Sequence, residues 1–161
     1  MSELRDLYQE VILDHGKSPR NFGKLESKTA DAHGHNPLCG DTITIYLELD
    51  KDVIKDISFE GRGCAISLAS ASLMTGLLKG KNMDDAQVLF AHFHKLVSDS
   101  NKTMNVNIPT DDLQKLDVLA GVRDYPMRVK CATLAWHTFN AALQNNTEEV
   151  TTEWWKFYAI Y

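Results

Sequence analysis

Cysteine is scarce in this chain, and so is proline: there are three of the first and four of the second in 161 residues. An odd number of cysteines at wide spacings, Cys39, Cys64 and Cys131, is a poor disulfide framework and fits reduced thiols kept for chemistry or metal. Positive charge is not in excess. The net charge of -5 argues against general nucleic-acid binding, because neutralising phosphates requires a basic face. Long apolar runs are also missing: the longest, residues 65–78, is broken by four hydroxyl residues and a glycine, and is too short to span a bilayer. The first fifteen residues alternate charged with apolar side chains and do not read as a signal peptide. The chain therefore reads as soluble and cytoplasmic, with neither membrane nor nucleic acid as a partner. A phosphate-binding loop is lacking, since Gly61, Gly63 and Gly76 have neither the lysine nor the spacing for one. No feature selects a histidine to serve as base for a cysteine hydrolase.

What is present is ordinary globular composition, 43% apolar and 24% charged, in a length that most simply makes one domain. Leu4, Leu7, Tyr8, Val11 and Ile12 have helical spacing, so residues 2–15 are expected as an amphipathic helix capped by Ser2 and closed by Gly16. Residues 17–36 should be mostly loop, with a short strand around 29–33. From Asp41 the period changes to two, predicting strands over 41–49 and 53–60 joined by a turn at Asp50, Lys51 and Asp52 as an antiparallel hairpin. Helices are expected over 65–78, ending at Gly80; from an Asn82 cap to about Val97; over a short stretch opened by Thr110, Asp111 and Asp112; and from Pro126 to Leu143. The expected class is α+β: a small antiparallel sheet of about three strands, packed on one face by several helices. Beyond the domain of residues 1–143, a tail over 144–161 carries Trp154, Trp155, Phe157, Tyr158 and Tyr161. That tail either packs on its own core or forms a strip for a partner or a second copy.

The chemistry centres on residues 36–41, Asn-Pro-Leu-Cys-Gly-Asp, where Gly40 permits a tight turn and Cys39 and Asp41 can converge. The hairpin returns the chain through Gly61, Arg62 and Gly63, delivering Cys64 to the same sheet edge, at the start of a helix whose dipole favours thiolate. Cys131 lies inside the last helix; taken alone it reads as a small buried hydrophobe, and it must reach the others laterally. Three thiolates and a carboxylate would make a four-coordinate shell for a tetrahedral ion, and sulfur donors select zinc, copper(I) or iron-sulfur species over magnesium or calcium. Arg62, Arg128 and Lys130 would offset its negative charge. Asp41, a hard oxygen donor among soft sulfurs, makes such a site easier to open than a four-cysteine one. His33 and His35 are secondary candidates close to Cys39. His92 and His94 are spaced to point apart on one helix, and His137 faces away from Cys131.

Taken together, these residues resemble the iron-sulfur cluster assembly family related to SufU, IscU and the amino-terminal domain of NifU. The segments that carry the resemblance are Leu7-Tyr8-x-x-Val11-Ile12-x-Asp14-His15, Pro19-Arg20-Asn21, Asn36-Pro37-x-Cys39-Gly40-Asp41, Gly61-x-Gly63-Cys64-Ala65-Ile66-Ser67-x-Ala69-Ser70-Ala71-Ser72 and Arg128-x-Lys130-Cys131-x-x-x-x-Trp136. The resemblance covers about residues 1–143 and implies a SufE/NifU-like fold. Lys130 stands where the IscU type has a histidine, and the long gap from Cys64 to Cys131 is similar to the SufU type, with an insertion at about 80–110. The resemblance implies zinc held by Cys39, Asp41, Cys64 and Cys131. It also implies that Cys39 accepts persulfide sulfur from a SufS-type cysteine desulfurase, passing it to downstream iron-sulfur assembly or acceptor proteins. The alternatives are a scaffold that assembles a [2Fe-2S] cluster, so that cluster or iron replaces zinc, and a structural zinc module that only binds partners.

Overall fold

The period-two alternation that begins at Asp41 builds the central strand of the sheet. The computed structural model describes residues 2–98, 109–144 and 150–151. In it β1 (Ala30–Asn36), β2 (Asp41–Asp50) and β3 (Val53–Arg62) form an antiparallel meander. Ile43, Ile45 and Leu47 of β2 lie inward beside Gly34 and Ala32 of β1 and Phe59 and Ile57 of β3, because directly paired residues share a face. The other face is polar, with His33, Thr44 and Glu60 in one row across it. Lys51, at φ 58°, makes the tight turn between β2 and β3.

The expected α+β class and its three antiparallel strands are present, and the sheet gains one strand more. A fourth strand, β4 (Val150–Thr151), runs parallel to β1 beside Gly34 and His35, making a mixed sheet of order β3-β2-β1-β4. Two residues are too few to leave a periodic signal. β1 also runs to Asn36, three residues beyond the expected strand, because Gly34 occupies an inward position with no side chain to mark it as apolar. β4 falls within the stretch expected as a tail. The aromatic residues from Trp154 onward, and residues 99–108 of the expected insertion, lie outside the described residues.

Five α-helices are described: α1 (Ser2–Lys17), α2 (Ala65–Leu78), α3 (Met83–Ser98), α4 (Thr110–Asp117) and α5 (Pro126–Leu143), with a 3-10 turn at Ala120–Asp124 before the last. α5 lies on β1 and β2, α2 on β3 and α5, and α1 on α2. Asn82 caps α3 as its sequence suggests, its Oδ1 accepting the Asp85 N–H at 2.7 Å. Phe59, Phe93, Trp136 and Phe139 are fully buried, and the Phe93 and Trp136 rings stack at 4.6 Å. None of the described helices is long and apolar enough to cross a membrane.

Hydroxyls that interrupt the apolar run of α2 fasten it to its neighbours. Ser70 Oγ donates to the Ala132 carbonyl of α5 at 2.5 Å and accepts the Trp136 indole N–H at 3.2 Å. Ser72 Oγ accepts the Arg20 N–H at 2.9 Å and bonds His15 Nδ1 at 2.7 Å, tying down the chain that leaves α1. The sheet and α5 approach so closely at Gly34 that a Cβ there would collide with the Thr138 Oγ1 of α5. Gly34→Ala is accordingly expected to destabilise the protein by about 1–3 kcal/mol, the cost of overpacking. Chemical denaturation of the metal-free protein measures it, and an unchanged midpoint would show that α5 yields freely.

Candidate metal centre

Three elements deliver the four predicted side chains to one end of the sheet. Asn36 and Asp41 face each other as the closing pair of β1 and β2, so residues 37–40 form the hairpin loop, with Cys39 exposed in it. Gly40 takes φ +72° there, and its N–H donates to the Asn36 carbonyl at 2.8 Å. Asp41 starts β2 on the inward side and is fully buried. Thr42 pairs with Arg62, so the end of β3 brings Gly63 and Cys64 alongside. Cys64 caps α2, its Sγ accepting the Ser67 N–H at 3.4 Å, and is exposed. Cys131 projects from the second turn of α5 and is buried.

The distances suit a common atom. Cys131 Sγ lies 3.4 Å from Cys39 Sγ, and Cys64 Sγ lies 4.0 Å from Asp41 Oδ2. Two thiolates on a tetrahedral zinc stand about 3.8 Å apart, given zinc–sulfur bonds of about 2.3 Å. The donor atoms of Cys39, Asp41 and Cys131 all lie within 4.8 Å of one another; Cys64 stands at the edge of this group, outside that mutual distance. Soft sulfur with one carboxylate fits zinc or an iron-sulfur species. Asp41 divides its oxygens: Oδ1 accepts the Cys64 N–H at 2.9 Å, while Oδ2 faces the thiols. Cys64 is drawn down to about 6, first because the Cys131 thiol donates a hydrogen bond to it and then because backbone N–H groups of α2 do the same, against burial. The Cys131 thiol, as the donor, is pushed up.

His33, His137 and Arg128 are engaged in other contacts. His33 and His35 occupy the opposite side of β1 from Asn36, and His33 Nδ1 bonds Thr44 Oγ1 at 2.7 Å. His137 sits among Phe90 and His94, where burial pushes its imidazole down to about 3 and keeps it neutral. The Arg128 guanidinium lies 4.5 Å over the Tyr125 ring.

Two residues that are not ligand types complete the site. A Cβ on Gly63 would collide with Asp41 Oδ1, so this glycine makes room for the carboxylate. Asn36, fully buried, donates from Nδ2 to Asp41 Oδ2 at 3.4 Å and to Cys131 Sγ at 3.5 Å. An inward-facing polar residue at the end of a strand was the available signal, hidden because the strand was expected to stop at residue 33.

The architecture and site define a class: a small α+β protein gathering three cysteines and an aspartate at one end of a helix-covered sheet. Residues 7–151 match the model of the NifU-like N terminal domain, and the chain belongs to that family, which takes in iron-sulfur cluster assembly proteins of the IscU and SufU kinds. It is 37% identical over 155 residues to the iron-sulfur cluster assembly scaffold protein IscU of Streptococcus pyogenes, covering 95% of this chain and 94% of that one. It is 41% identical over 136 residues to the zinc-dependent sulfurtransferase SufU of Bacillus subtilis, covering 84% and 88%. A crystal structure from Fervidobacterium islandicum, of a protein proposed as an iron-sulfur cluster assembly scaffold for the SUF system, superposes with a TM-score of 0.73 at 35% identity. That match covers 86% of this chain and 98% of the other.

Proposed function

We propose that this protein is a zinc-dependent sulfur acceptor and relay, loaded by a SufS-type cysteine desulfurase for iron-sulfur cluster assembly in the cytoplasm. The observation that carries the reading is the unequal burial of the thiols: Cys39 is exposed on a glycine-pivoted loop, 3.4 Å from a buried Cys131. Bound zinc would keep the thiols deprotonated and shielded, with Cys39, Asp41, Cys64 and Cys131 as its ligands. Sulfur transfer itself is a thiolate displacement. The Cys39 thiolate attacks the outer sulfur of the desulfurase persulfide, a new bond forms between Cys39 Sγ and that sulfur, and the enzyme's cysteine leaves as thiolate. Cys39 suits the role better than Cys64, whose sulfur caps α2 by accepting the Ser67 N–H and whose backbone N–H is held by Asp41 Oδ1. Leu38, 56% exposed beside Cys39, offers an apolar contact to a docking partner. Little turnover is expected without that partner.

Lys130 favours this reading over a cluster scaffold, since an ammonium is a poor ligand near neutral pH. The likeness to an IscU favours the scaffold. The aerobically purified protein is expected to hold about one zinc per chain, by the ligand count of a single tetrahedral site, and to be colourless. After mixing with desulfurase and cysteine, peptide mass spectrometry should find a persulfide on Cys39. No persulfide on any cysteine, together with a stable visible chromophore after anaerobic loading with iron and sulfide, would establish the scaffold instead.

A further inference from the structure

We infer that Asn36 is a positioning residue for the metal centre, holding the buried ligand pair, Asp41 and Cys131, in register with the loop that carries Cys39. The inference rests on the proposed function, since it assumes that these side chains hold a metal. Asn36 connects three parts of the site at once. Its Oδ1 accepts the Leu38 N–H at 3.2 Å, an Asx turn that shapes the Cys39 loop. That bond fixes which way the amide points, so Nδ2 is the atom facing Asp41 Oδ2 at 3.4 Å and Cys131 Sγ at 3.5 Å. The oxygen contact is longer than an ordinary N–H···O bond, while sulfur, being larger, accepts at such a distance.

The chemistry requires this residue type. A serine could still accept from Leu38, as an ST turn, but its hydroxyl is too short to serve both ligands. An aspartate would keep the acceptor and set a second carboxylate against Asp41. Of these three, only asparagine joins a turn acceptor to two donors. In the metal-bound protein both acceptors are anionic, so N–H donation to them is charge-assisted and takes place out of water, where it counts for more. Asn36 therefore favours the loaded state over the empty one, and it ties the orientation of the exposed ligand to that of the buried pair.

The test compares full-length wild type with Asn36→Ser. Zinc affinity is measured by competition with a chromophoric chelator at one pH, thermal midpoints with and without zinc, and the rate at which a maleimide alkylates Cys39 in the zinc-loaded protein. The expected result is a dissociation constant raised about 10- to 100-fold, the usual scale for losing an outer-shell partner of a metal ligand. The midpoint should fall more with zinc than without it, and Cys39 should lose its protection. Asn36→Asp, tested alongside in case the serine variant does not fold, should weaken zinc at least as much. Folded variants with wild-type zinc affinity would overturn the inference and leave the proposed function standing. Equal falls in both midpoints with unchanged affinity would reduce Asn36 to a fold residue. A wild type that binds no zinc would remove the proposed function itself, and this inference with it.

Discussion

Cys39→Ala is expected to bring desulfurase stimulation down to the enzyme's basal turnover, a loss of about two orders of magnitude or more, because it removes the proposed nucleophile itself. The side chain is exposed on a hairpin loop, so its truncation should shift the stability of the metal-free fold by no more than about 0.5 kcal/mol, as for other surface substitutions. The measurement is alanine or sulfide release by the desulfurase with increasing amounts of variant. Cys64→Ala run in parallel resolves the competing assignment, since Cys64 is also exposed and its thiol is drawn down by the hydrogen bonds it accepts. Full stimulation by Cys39→Ala, with loss in Cys64→Ala, would move the acceptor role to Cys64.

Asp41→Ala should weaken zinc by more than about 100-fold, beyond what outer-shell losses produce, because it removes a direct ligand. The effect comes from both states. In the loaded protein a donor disappears; in the empty protein the Cys64 N–H and the Asn36 amide lose an acceptor, so the fold itself is weakened as well. The rise in thermal midpoint on adding zinc should therefore shrink, on top of a lower midpoint without the metal. Asp41→Asn separates the two duties of the residue. It keeps an oxygen for the Cys64 N–H, bonded at 2.9 Å in the native site, but surrenders the charge that faces the thiols. If Asp41→Asn binds zinc like the wild type, the carboxylate serves α2 as an anchor and the ion must be held by sulfur alone.

Much of this arrangement could be read from residue order. The alternation from Ile43 to Leu49 and from Val53 to Phe59 predicts β2 and β3, and an antiparallel return then forces Cys64 to the edge where Asp41 begins. The cap at Asn82 and the start of α5 at Pro126 follow from side-chain chemistry that acts within a few residues. What could not be read depends on contacts between distant segments. Nothing local says that Gly34 must be bare because Thr138 lies above it, or that Gly63 must be bare because Asp41 needs the space. The lateral reach of Cys131 could only be supposed, because helix periodicity places a residue on a face without saying what the face meets. β4 was invisible for the same reason: pairing across the sheet edge, and not intrinsic propensity, makes Val150 and Thr151 a strand.

Asp41 and Cys131 lie deep against the helices, while Cys39 and Cys64 form the outward wall. The two exposed sulfurs thus lie at the same end of the sheet. If the protein relays sulfur as proposed, the partner delivering the atom and the partner receiving it would have to use that end in turn. An excess of either visitor should then block the other, and traffic through the relay should peak at intermediate concentrations of both.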